Sequence, residues 1–130
     1  MANILIIDDD PVYSGMLQQR LERAKHQVSV HLGPFGGTLA ARKPGIDLVI
    51  LDVFMPGLDG PALLDLMSRD GTSFRPKVVF CSSMDAGQLK DLALRHQADG
   101  WVSKAATRQQ LLDCLDRALG SIPRFSHRPA

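Results

Sequence analysis

The side chains best suited to chemistry in this sequence are Asp8, Asp9, Asp52, Ser82 and Lys104. Each stands at or just beyond the end of a short apolar run. Three ionised carboxylates packed together repel, and one of them raises its pKa unless cations intervene. Lys104 supplies one positive charge, and a divalent cation would supply the other two. The ligands are hard oxygens and few in number. That favours Mg2+, which keeps several waters and binds through one or two carboxylates together with phosphate. Such a cluster suits phosphoryl transfer, which needs mainly positioning and charge stabilisation. Aspartate is an established covalent phosphoryl acceptor. Asp52 is the best nucleophile, because it stands alone at a strand end, between the acidic pair and Lys104. Asp8 and Asp9 are adjacent, so they point in different directions and suit direct and water-mediated metal contacts.

These residues meet only if the right elements carry them. Ile4-Leu5-Ile6-Ile7 is a continuous apolar run, the mark of a strand buried on both faces. It stops at Asp8-Asp9-Asp10-Pro11, where Asp10 can cap a helix and Pro11 suits the first helical position. Val12, Met16, Leu17, Leu21 and Ala24 then recur at helical spacing. A second strand is expected at Gln27–His31, and a weak helix near Phe35–Lys43, where Gly36-Gly37 lowers helix propensity. A third strand over Ile46–Leu51 leads to Asp52, then a turn-rich loop, then a helix opened by Pro61. The fourth strand, Lys77–Cys81, ends at Ser82, and the fifth, around Gly100–Val102, ends at Ser103-Lys104. Asp85 with Gln88, and Thr107 with Gln110, have capping-box spacing for the last two helices.

Five strand–helix pairs in alternation imply a doubly wound α/β fold, a parallel sheet with helices on both faces. The expected flavodoxin-like order is 2-1-3-4-5, with the site beyond the carboxyl ends of the strands where the order reverses. That places the three carboxylates, Ser82 and Lys104 on one rim. One domain over residues 1–120 is expected, with 121–130 as a tail or the stump of a linker.

The chain has 130 residues, 45% of them apolar and 22% charged, with a formal net charge of +1. A charge so balanced argues against nucleic acid or an anionic membrane as the main partner. Cys81 and Cys114 sit in apolar runs and read as packing residues, which fits a reducing cytoplasm. No signal peptide and no membrane span are expected. His26, His31, His96 and His127 are scattered, and none is expected to bind metal or carry a phosphoryl group.

From about Asn3 to Gly120 the sequence resembles response-regulator receiver domains. The resemblance rests on Asp8-Asp9-Asp10-Pro11, Leu51-Asp52, Met55-Pro56-Gly57-Leu58-Asp59-Gly60, Ser82 and Lys104, in order and at the right strand ends. It implies phosphorylation of Asp52 by a histidine kinase, a phosphotransfer protein or a small phosphodonor. It implies Mg2+ held by Asp9, Asp52 and the backbone carbonyl of Phe54, with Asp8 acting through water. Ser82 and Lys104 would bind phosphoryl oxygens, and Trp101 would be the aromatic switch residue that follows Ser82. The surface of helix four, strand five and helix five would then change and bind a target protein or a second receiver.

Two departures from the family pattern matter. Ala105 follows Lys104 where proline is frequent, so a trans peptide bond or a strained loop is expected there. Phe54 and Met84 are large and apolar beside the site, and would shield an acyl phosphate from water. Three rival functions fit the pattern less well. Haloacid-dehalogenase-type phosphatases need a second Asp at the position of Phe54, and a flavin phosphate would be repelled by Asp8-Asp9-Asp10. A phosphorylation-independent interaction domain would have no need of Asp52, Ser82 and Lys104 together.

Overall fold

The computed structural model describes residues 1–68 and 75–120. Five strands alternate with five helices: β1 (Asn3–Asp8), α1 (Pro11–Arg23), β2 (Gln27–Leu32), α2 (Gly37–Ala41), β3 (Leu48–Asp52), α3 (Gly60–Ser68), β4 (Lys77–Ser82), α4 (Ala86–Arg95), β5 (Gly100–Ser103) and α5 (Arg108–Gly120). The strands form one parallel sheet in the order β2-β1-β3-β4-β5, as the alternation predicts. The expected tail at 121–130 lies outside the described residues.

Side-chain alternation divides the core in two. Ile4, Ile6, Leu48, Ile50, Val79 and Cys81 point to one face, where Leu17 and Leu21 of α1 and Leu111 and Leu115 of α5 cover them. Leu5, Ile7, Val49, Leu51, Val78 and Phe80 point to the other, under α2, α3 and α4. Both faces of the inner strands are dry, which is why β1, β3 and β4 read as unbroken apolar runs. The edge strand β2 is only partly buried and alternates instead.

Caps fix where the helices begin. The Asp10 carboxylate accepts from Val12 N and Tyr13 N, with Pro11 at the first helical position. Asp59, which opens α3, accepts from Ala62 N at 2.8 Å. Asp85 accepts from Gly87 N and Gln88 N. At α5 the box is reciprocal: Thr107 N donates to Gln110 Oε1 at 2.9 Å, and Gln110 N donates to Thr107 Oγ1 at 3.1 Å. Each such cap satisfies amides that have no partner within the helix.

Some expected limits shift. The second helix shrinks from Phe35–Lys43 to Gly37–Ala41, because left-handed Gly36 at its start offers no side-chain cap. The third strand begins at Leu48, not Ile46: Ile46 N closes a turn onto Lys43 O, and the Asp47 carboxylate accepts from Asn3 N at 2.8 Å. Helical spacing also placed Val12 and Met16 with the buried stripe of α1, but Val12 is 81% exposed and Met16 37%. Ser14, Leu17 and Leu21 form that stripe, with Tyr13 at its edge. Among the described residues no peptide bond is cis, so Lys104–Ala105 is trans, and Ala105 N donates to Ser103 Oγ at 3.0 Å.

Candidate functional site

Strand register builds the site. Ile6 pairs with Ile50 and Ile7 with Leu51, so the two strands β1 and β3 finish together, at Asp8 and Asp52. Asp8 follows Ile6 by two residues and Asp52 follows Ile50 by two. The pleat therefore turns both carboxylates toward the α1 and α5 side of the sheet. Asp52 in turn pairs with Cys81 of β4. Both carboxylates are buried, at 2% and 4% exposure. Asp9 stands in the connection to α1 and is exposed.

Lys104 arrives from just beyond β5, and its backbone N–H donates to Ser82 O at 2.9 Å. Its ammonium lies 3.0 Å from Asp8 Oδ2 and 3.4 Å from Asp52 Oδ1, bridging the two buried acids. Asp8 uses its other oxygen to accept from Asp10 N at 2.9 Å, which fixes the turn into α1. Carboxylate oxygens of Asp8, Asp9 and Asp52 all lie within 4.8 Å of one another.

Electrostatics follow from this crowding. Burial, then the charge of Asp8, pushes the Asp52 pKa up to about 7, and Lys104 offsets that only in part. Burial works against the Lys104 ammonium as well. The contact with Asp8 and the charges of Asp52 and Asp8 outweigh it, so its pKa lies above the ordinary lysine value. Three carboxylates against one ammonium leave two negative charges. The donor set is all hard oxygen, and it fits a divalent cation such as Mg2+ better than a softer metal.

The remaining expected residues lie in or just past β3, β4 and β5. Ser82 ends β4 fully buried, and its Oγ accepts from Met84 N at 3.1 Å. Trp101 pairs with Phe80 in β5 and packs half-buried against the α2–α3–α4 face, the face to which alternation also turns Ser82. Thus Ser82 and Trp101 share one side of the sheet, while Asp8, Asp52 and Cys81 share the other. Phe54 leaves the sheet two residues past Asp52 with its side chain 61% exposed, and Met84 is half-buried. Gly60 touches the backbone carbonyl of Asp52 so closely that a β-carbon there would collide with it. The start of α3 thereby sits directly against the strand end that carries Asp52.

Sequence reasoning missed Tyr13. Lys104 Nζ lies 4.7 Å from the centroid of its ring, and its hydroxyl is 3.3 Å from Cys81 Sγ. Cys81, expected to be only a packing residue, thus also contacts the site. The available signal was position: Tyr13 falls in the first turn of α1, three residues past the Asp10 cap.

Comparison with known proteins bears on this geometry. The family model of the response regulator receiver domain matches residues 4–116. PilH of Pseudomonas aeruginosa is 29% identical over 119 residues, which cover 92% of this chain and 98% of PilH. The transcriptional activator PfeR of the same organism is 31% identical over 108 residues, 83% of this chain but only 34% of PfeR. The chain thus spans nearly all of one such relative and about a third of another. The BeF3-activated N-terminal receiver domain of Klebsiella pneumoniae RstA superposes with a TM-score of 0.80 at 25% identity, covering 92% of this chain and 99% of that domain. A family match over this much of the sequence decides the identity: the chain belongs to the response regulator receiver domains of two-component signalling.

Proposed function

We propose that this receiver takes a phosphoryl group on Asp52, from a histidine kinase, a phosphotransfer protein or a small phosphodonor. The observation that carries this reading is the Lys104 ammonium bridging buried Asp8 and Asp52. No simple packing role calls for two buried carboxylates on adjacent strand ends sharing one lysine. In the transfer, an Asp52 carboxylate oxygen bonds to phosphorus as the donor's bond to phosphorus breaks. The leaving imidazole or acid keeps the electron pair. Lys104 pairs with a phosphoryl oxygen, and Ser82 donates its hydroxyl proton to another.

Asp9, Asp52 and the Phe54 carbonyl would hold Mg2+, with Asp8 acting through water. The ion would supply neutralising charge for the phosphoryl oxygens. The chain's own part is to fix Asp52 on a rigid strand end and keep Lys104 beside it. The product is a signal, so the domain assists only its own phosphorylation and dephosphorylation.

The response travels through Ser82 and Trp101. To meet a phosphoryl oxygen, the Ser82 hydroxyl gives up its present bond from Met84 N, and Trp101 moves on the same face of the sheet. The surface of α4, β5 and α5 then favours a target protein or a second receiver. This is a two-state element biased by a new anion. We place the domain at residues 1–120 in the cytoplasm, with no nucleic acid bound directly by it. Among the described residues no helix is long and apolar enough to cross a membrane.

Incubation with acetyl phosphate and Mg2+, read by intact mass, tests the assignment. One added phosphoryl group, absent in Asp52→Asn and absent with chelator, is expected. An unmodified wild-type chain, or a phosphorylated Asp52→Asn chain, would overturn it.

A further inference from the structure

Lysine has a flexible four-carbon stem, so an ammonium that must meet a phosphoryl oxygen needs something to hold it. In this chain the neighbour on the α1 side is the Tyr13 ring, with Lys104 Nζ 4.7 Å from its centroid. A cation at that distance from an aromatic ring is attracted by the ring quadrupole. The ring is itself held at both ends. Its backbone lies in the first turn of α1, where Tyr13 N donates to Asp10 Oδ1 at 3.2 Å. Its hydroxyl meets Cys81 Sγ at 3.3 Å, on the β4 residue that pairs with Asp52. Burial pushes the Cys81 thiol up to about 11 and raises the Tyr13 phenol as well. Both groups stay neutral, so the pair adds no charge to the acidic cluster.

We propose that Tyr13 is a positioning residue, whose ring face holds the Lys104 ammonium on Asp8 and Asp52. This role rests on the phosphoryl-acceptor reading of Asp52 given above. Phosphorylation rates with acetyl phosphate and Mg2+ test it in Tyr13→Phe, Tyr13→Leu and Lys104→Met, and in the two Tyr13 variants combined with Lys104→Met. Tyr13→Phe keeps the ring face and is expected to stay within roughly twofold of wild type, whereas Tyr13→Leu slows by roughly 3- to 30-fold. In the Lys104→Met background the Tyr13→Leu change is expected to have no further effect. A purely structural tyrosine would slow both backgrounds equally, and that result overturns the proposal. So does a Tyr13→Leu chain as fast as wild type.

Where Lys104→Met is too slow to measure, urea unfolding of wild type, Tyr13→Leu, Lys104→Met and their double variant without metal gives the second reading. Coupling between the Tyr13 and Lys104 changes supports the contact, and strict additivity overturns it. If Tyr13→Leu does not fold, Tyr13→Met takes its place. A wild-type chain that takes up no phosphoryl group at all refutes the acceptor reading instead. The unfolding cycle then still decides whether Tyr13 holds Lys104.

Discussion

At Asp52, burial and the neighbouring Asp8 charge act together against ionisation, and Lys104 offsets them only in part. The consequence is a pH dependence with a definite sign. The ordinary value is 3.8 and the folded value about 7, so between them the folded chain binds more protons at this site than the unfolded chain. The stability from this residue is fully present below the lower value and is lost as pH rises through the upper one. Without metal, Asp52→Asn is therefore expected to gain on wild type as pH rises from about 4 to about 8, by on the order of a few kcal/mol. Mg2+ should close the gap by stabilising the ionised wild type. Urea unfolding at the two pH values with chelator measures it, and an equal gap at both would mean that Asp52 ionises normally.

Phe54 carries the second prediction at this scale. It follows Asp52 by two residues and is exposed. Phe54→Asn is expected to shorten the life of the acyl phosphate by admitting water. A dephosphorylation rate that is unchanged or slower would remove the shielding role. Legibility at the residue scale followed position along the chain. Asp8, Asp9, Asp52 and Lys104 could be read because each lies at or just past a strand end, where the fold collects side chains. Tyr13 could not, because its reach to Lys104 depends on how α1 lies against the sheet. Spacing alone even favoured Val12 and Met16 over it, and those two face solvent.

At the scale of elements, caps and apolar runs were legible, while chain entry points were not. Asp10, Asp85 and Thr107 all cap the helices assigned to them. The start of β4 and the entry to β5 depend instead on a buried ion pair that has no local signature. Arg75 Nη1 lies 2.8 Å from Asp99 Oδ2, with side chains 6% and 1% exposed. The same Asp99 oxygen accepts from Val78 N at 2.8 Å, and Arg75 also donates to the Gln97 and Pro76 carbonyls. The two residues are 24 apart in sequence, so no spacing rule links them. Removing one partner of a buried pair costs about 3–5 kcal/mol, because the other charge stays in a dry site. Asp99→Ala should lose that much in urea unfolding, and a loss under about 1 kcal/mol would show that the pair is solvated. This pair sits at the end of the sheet opposite Asp52. A refolded Asp99→Ala chain should therefore still accept a phosphoryl group.

For the whole molecule, alternation of strand and helix predicted the sheet order, because short right-handed crossovers leave few other parallel arrangements. What alternation does not fix is where the domain stops. The core cluster under α1 and α5 draws on residues up to Ala118, which is buried beside Gly100 of β5. Lys77 Nζ, also buried, donates to the Ala118 carbonyl at 3.0 Å and so ties the last turn of α5 to the first residue of β4. The lysine stands where a helix C-terminus favours a cation. A chain cut after Gly120 tests the expected boundary: it should unfold within about 0.5 kcal/mol of the full chain and take up phosphoryl groups at the same rate. A larger loss of stability with an unchanged rate would extend the domain past Gly120. A slower rate at full stability would mean that residues past Gly120 act on the site itself.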